Sequence, residues 1–203
     1  MFNLNKEELA LLKPLNTPRK IQAFLDTLKI NFEKGGETCM SPRRVLKTGR
    51  AHCLEGAMLA AAALRLNGQP PLVLDLTASD ADDDHVVALF RQHGHWGALS
   101  KTNHAVLRYR EPVYKTIREL ALSYFHEYFT HDGKKTLRSF SPPVNLSRFD
   151  RLNWMTTDQD LWKIAEYLCE VRHSAILTRH QLATLRKADP LEIRAGRLVE
   201  WRS

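Results

Sequence analysis

Cys53, His85 and Ser100 have the residue types and chain order of a nucleophilic acyl-transfer site, and Asn103 follows close behind. A thiol attacks a carbonyl as its thiolate, so it needs a group that favours the anion and a group that moves protons. A helix start provides the first, through N–H groups without intrahelical partners and the positive end of the helix dipole. Gly49 closes one element just before Cys53 opens the next. Cys53 is therefore expected at a helix start, with its own N–H directed at a developing oxyanion. An imidazole provides the second. His52 is adjacent, but neighbouring side chains on a helix point apart, so His85 is the expected base. Ser100 ends the strand that follows the one His85 opens. A turn at Gly94 folds it back beside His85, as the group that orients the ring. Asn103, or an aspartate of the 82–84 turn, is the other candidate for that place.

The elements that must hold these residues are readable from period and punctuation. Thr17-Pro18 caps a helix along which Ile21, Phe24, Leu25 and Leu28 recur at helical spacing, ended by Gly35-Gly36. A short helix runs from Ser41-Pro42 to Gly49. Residues 53–66 are apolar on nearly all sides, with only Glu55 and Arg65 charged, which marks a central helix stopped by Asn67-Gly68. The period then changes to that of strands at 71–76, 85–90 and 95–99, a meander around a polar turn at 79–84. Further on, Val113, Ile117, Leu120, Tyr124 and Tyr128 predict an amphipathic helix. Residues 136–149 read as irregular, 158–171 as a helix with Cys169 on its inward stripe, 178–187 as a last helix and 197–201 as a strand. The class is α+β, a Cys-bearing central helix packed on an antiparallel sheet, with extra C-terminal helices.

The totals bound the rest. A chain of 203 residues forms one domain, 1–203, and buries a core without disulfides or metals. The cysteines Cys39, Cys53 and Cys169 are odd in number and form no CxxC pair. That argues against a disulfide framework or zinc ribbon and fits a reducing cytoplasm. Lys6, Glu7 and Glu8 stand where a secretory signal is apolar, and the longest apolar run, 57–64, falls short of a membrane span. No cofactor or metal is expected. His93, His95 and His104 show no paired ligand spacing. Asp80, Asp82 and Asp84 open like a calcium loop, but His85 stands where that loop needs glycine.

The residues around the candidate site resemble the transglutaminase-like superfamily, whose core is related to papain-like cysteine proteases. The stretches that carry the resemblance are GRAHCLEG at 49–56, the apolar helix after it, and HVVALFRQHGHWGALSKT at 85–102. In that family Cys begins a helix, with an acidic residue two positions on, as Glu55 is here. His begins a strand, followed by a turn glycine, a tryptophan and Leu-Asp-x-Thr; here these are Gly94, Trp96, Leu99, Ser100 and Thr102. The resemblance covers 41–103 and places the core at about 17–110, with 111–203 as a helical elaboration of a bacterial subgroup. It implies a Cys53 thioester formed from an amide-bearing peptide, protein or small molecule, His85 as proton carrier, and hydrolysis or acyl transfer. Arylamine acetyltransferases share Cys-x-Glu but are longer proteins. The departure is Ser100, which stands where the family has aspartate and brings no negative charge.

That departure keeps a second class open, a binding domain that has lost catalysis. The formal charge of +7, with basic clusters at 43–50 and 172–202, keeps a third, an anion-binding protein. No nucleic-acid motif accompanies those clusters, so a nucleic-acid partner is not expected. Nothing in the sequence speaks to oligomeric state.

Overall fold

The first three helices each begin at a side chain that satisfies a free N–H group. In the computed structural model, which describes residues 2–202, α1 (Lys6–Leu12) starts at Asn5. The Asn5 side chain accepts from Glu8 N at 2.8 Å, and Glu8 returns to Asn5 N at 2.7 Å, a reciprocal capping box. α2 (Pro18–Thr27) starts at Thr17 and α3 (Pro42–Thr48) at Ser41, each followed by proline. α2 is closely followed by β1 (Lys29–Ile30), which pairs in parallel with β2 (Arg50–Ala51). Gly49 ends α3 at φ +66°, a left-handed conformation open to glycine. The chain therefore reverses into β2 and at once into α4 (Cys53–Leu66), whose side chains from Leu54 through Leu64 are all buried.

The sheet that receives α4 is a meander of β3 (Leu72–Thr77), β4 (His85–Gln92), β5 (His95–Leu99) and β6 (Arg110–Tyr114), each pair antiparallel. The β4–β5 hairpin turns through His93 and Gly94, both at positive φ, as a tight two-residue hairpin turn demands. Alternation along the strands divides the core in two. Val73, Val86, Ala88, Phe90 and Leu99 belong with α4 and the N-terminal helices. Leu74, Leu76, Val87, Leu89 and Ala98 belong with α5 (Ile117–Leu122), Tyr124, Tyr128 and Phe140. Each such buried aliphatic or aromatic side chain contributes about 1.5–3 kcal/mol, so the sheet is held from both faces.

The far edge is built by short strands. β7 (Ser139–Phe140) and β8 (Val144–Asn145) both pair with β3, and β9 (Ser174–Ala175) adds beyond β7, giving the order β6-β5-β4-β3-β7-β9 with β8 beside β3. α6 (Trp162–Glu170) buries Ile164 and Leu168, and α7 (Arg179–Ala183) and α8 (Pro190–Gly196) complete the chain. No helix among the described residues is long and apolar enough to cross a membrane.

Four expectations about the C-terminal half are corrected. Residues 113–128 are not one helix. Val113 is 66% exposed on β6, an edge strand containing Pro112, which has no N–H to give a ladder. Helix formation waits for Thr116, whose capping box with Glu119 starts α5. Cys169 is exposed, not inward. Residues 136–149 contain β7 and β8, so the C-terminal half contributes strands as well as helices. In the 197–201 segment the only sheet-like contact is one bridge, Val199 to His104.

Candidate active site

The start of α4 is fixed by a buried carboxylate. Glu55 is fully buried. Its Oε1 accepts from the Thr38 hydroxyl at 2.7 Å and Met40 N at 2.9 Å. Its Oε2 accepts from His52 N at 3.0 Å and Asn31 Nδ2 at 3.1 Å. A buried carboxylate is tolerated when its lone-pair sites are filled, and these donors bind the 31–40 loop to the helix start. Gly56 N makes the first intrahelical bond, to His52 O at 2.9 Å, so the N–H groups of Cys53 and Leu54 precede the ladder.

His52 is the N-cap of α4, with φ −90° and ψ −175°. Its backbone is extended, so the rule that separates neighbouring side chains on a helix does not govern it. His52 Nε2 lies 3.0 Å from Thr38 O and 3.4 Å from Glu55 Oε1. A carbonyl only accepts, so Nε2 carries hydrogen. The sequence reading passed over this histidine. The signal that would have found it is the N-cap position itself, set by Gly49 and by Glu55 three residues on.

The sheet supplies the other imidazole. Ala88 pairs with Leu99, so Ser100, one residue further, falls opposite Val87 and diagonal to His85. His85 Nε2 lies 2.8 Å from Ser100 Oγ, which in turn lies 2.5 Å from Leu107 O. The serine hydroxyl must donate to the carbonyl and so accepts from His85 Nε2–H, which leaves Nδ1 as the free nitrogen. Ser100 is itself clamped. Its N–H donates to Gln22 Oε1 at 3.0 Å, and Gln22 Nε2 donates to its carbonyl at 2.8 Å. Gln22, on α2, carries no sequence signal for this role.

Both histidines act on the Cys53 thiol. Burial by itself would push the Cys53 thiol up, but hydrogen bonding and positive charge from His52 and His85 draw it down to about 5. His52 moves the opposite way: burial works against its charge, yet Cys53, Glu55 and the Thr38 carbonyl raise it to about 9. Tyr128, whose hydroxyl donates to Asp83 O at 3.1 Å, is pushed far up, first by burial and then by Cys53. It stands by the site as a neutral phenol.

The other candidates are placed elsewhere. Asn103 makes a reciprocal pair with the Trp201 backbone, at 3.0 and 2.9 Å, and holds the C-terminal segment. Asp84 accepts from Ala78 N and Asp82 from the Thr136 hydroxyl. Among the described residues, histidine–carboxylate pairs are His52–Glu55 and His173–Asp75; His85 has none. Cys53 is partly exposed, while Cys39 is buried, and burial pushes its thiol up to about 12. A cleft of about 490 Å³ adjoins the site through Leu107 and Tyr128, with Asp80, Asp83, His131 and Arg197 on its walls. Neither Cys53 nor His85 lines it. A comparison with models of known protein families finds no match, and a comparison with curated proteins finds none either.

Proposed function

We propose that the protein is a transglutaminase-like cysteine hydrolase or acyltransferase that acts on an amide-bearing substrate through a Cys53 thioester. The observation that carries this reading is the arrangement at the start of α4: Cys53 opens the helix, His52 caps it beside Glu55, and Ser100 holds His85, with both imidazoles drawing the thiol down to about 5. Most of it is thiolate at neutral pH, whereas an ordinary cysteine, near about 8.5, is mostly thiol. The order of parts agrees with the papain-like core of that superfamily: Cys53 on α4, His85 opening β4, and the group orienting His85 at the end of β5.

The chemistry follows from those contacts. The Cys53 thiolate adds to the carbonyl, and the free N–H groups at the start of α4 face the charge that develops on oxygen. His85, whose Nδ1 has taken the Cys53 thiol proton, gives that proton to the leaving amine as the carbon–nitrogen bond breaks, leaving the thioester. Water or a second amine then bonds to the acyl carbon and gives a proton to Nδ1, and the carbon–sulfur bond breaks to return the thiolate. Ser100 engages Nε2 and so leaves Nδ1 as the nitrogen that can exchange protons.

The test is direct acylation. Wild-type protein incubated with p-nitrophenyl acetate at neutral pH should gain the mass of one acetyl group on Cys53 and then lose it in buffer. Cys53→Ser should give no such adduct. Acetylation spread over lysines, with Cys53 unmodified, would contradict the reading.

A further inference from the structure

Among the described residues His85 has no carboxylate partner, but His52, next to Cys53, has one in Glu55. We propose that His52 is a second catalytic imidazole, held by Glu55 and the Thr38 carbonyl as a fixed cation against Cys53, where it stabilises the thiolate while His85 alone carries protons. The proposal rests on the reading of Cys53 as the nucleophile.

Three observations carry it. His52 has two acceptors at Nε2, Thr38 O at 3.0 Å and Glu55 Oε1 at 3.4 Å, and the Cys53 side chain is a further hydrogen-bond partner of the ring. An imidazole with such partners is held as imidazolium. Glu55 is fully buried and is tied to this spot by Thr38, Met40, Asn31 and the His52 backbone, so its charge cannot drift away. His85, by contrast, gives Nε2–H to a serine hydroxyl already committed to Leu107 O. Its partner is neutral, which suits a ring that must gain and lose a proton in each cycle.

The charges then alternate along Glu55, His52 and Cys53. Tyr128, which burial and then Cys53 push up, is neutral. The shift of His52 to about 9 points the same way. In acylation the carbon–sulfur bond forms, the carbon–nitrogen bond breaks, and the His85 Nδ1 proton leaves on the amine. In deacylation water bonds to the acyl carbon, its proton passes to His85 Nδ1, and the thiolate departs. His52 keeps its proton throughout. The aspartate of the superfamily pattern supports the imidazolium; here the negative partner supports a cation that never transfers its proton.

The experiment is the pH dependence of Cys53 alkylation by iodoacetamide, read by peptide mapping, in wild type, His52→Gln and His85→Gln. Glutamine can keep the bond to Thr38 while removing the charge. In wild type the midpoint should lie near 5. In His52→Gln it should rise by two pH units or more. A low wild-type midpoint that His52→Gln leaves in place, and only His85→Gln raises, would overturn this proposal while sparing Cys53 as nucleophile. A wild-type midpoint near about 8.5 would overturn both. Because His52→Gln removes part of the cap of α4, the wild type is also read by nitrogen-15 histidine spectroscopy. His52 should stay doubly protonated past pH 8, and its midpoint should fall once Cys53 is alkylated. An ordinary midpoint near about 6.5, unmoved by alkylation, would overturn the proposal.

Discussion

Ser100 shows how one atom can decide a residue's role. Its hydroxyl is 2.5 Å from the Leu107 carbonyl, so it must donate there, and His85 must donate to it. Ser100→Ala removes the acceptor and leaves His85 Nε2–H without a partner. The loss is about 1–3 kcal/mol, so the rate of Cys53 acylation by p-nitrophenyl acetate should fall roughly 5- to 150-fold. Ser100→Asp, which introduces the aspartate of the transglutaminase-like pattern, should not improve the site. A carboxylate there would face the Leu107 carbonyl with no proton between them. We expect lower stability in urea and no faster acylation than wild type. Cys53, His85 and Ser100 were legible because type, order and strand ends all pointed to them. His52 was not, because its backbone leaves the helical region one residue before Cys53, and the spacing argument presumes that it does not.

At the scale of elements, α4 and the segment just after β5 meet with little clearance. A Cβ added at Gly56 would lie 2.5 Å from Lys101 Cβ and 3.1 Å from its Cγ. Lys101 is itself buried, its Nζ donating to Leu28 O at 2.5 Å, so it cannot swing away without losing that bond. Gly56→Ala should therefore cost about 1–3 kcal/mol in urea unfolding, although alanine is the better helix former. The Asn103 amide works at the same scale by clasping Trp201. Asn103→Ala should open the segment after Gly196 to protease and leave Cys53 alkylation at low pH intact. The N-terminal helices, α4 and the first three long strands were legible in outline from caps, glycines and period. The stretch after Leu99 was less so. Val113, Ile117 and Leu120 keep helical spacing by coincidence across an edge strand, and nothing local announces that Pro112 sits in a ladder.

For the molecule as a whole, the buried Asp75–His173 pair links stability to pH. Asp75 is 3% exposed, and burial raises its carboxyl to about 6 despite the bond from His173 at 3.0 Å. In the unfolded chain an aspartate titrates near about 3.9. The folded state thus holds this proton more tightly than the unfolded state. Its contribution is fully present below the unfolded value and is lost as pH rises through about 6, amounting to roughly 3 kcal/mol. Relative to wild type, Asp75→Asn should gain stability in urea by about that amount between pH 4 and pH 7.5. An unchanged difference would contradict the assignment. The sequence gives no hint of this pair, since Asp75 and His173 meet only through the β3–β7–β9 edge. That edge is made of two-residue strands too short to show a period.

The most direct test of Cys53 as the reactive group is competition among the three thiols. Cys169 is exposed and its thiol is pushed up by burial of its sulfur; Cys39 is buried and pushed up to about 12; Cys53 is only partly exposed but drawn down to about 5. Exposure and ionisation therefore rank the sites differently. Native protein treated with limiting iodoacetamide at pH 6, then digested and mapped, should carry the label on Cys53 well ahead of Cys169. Label on Cys169 first, with Cys53 reacting only as pH approaches that of an ordinary thiol, would contradict the central claim.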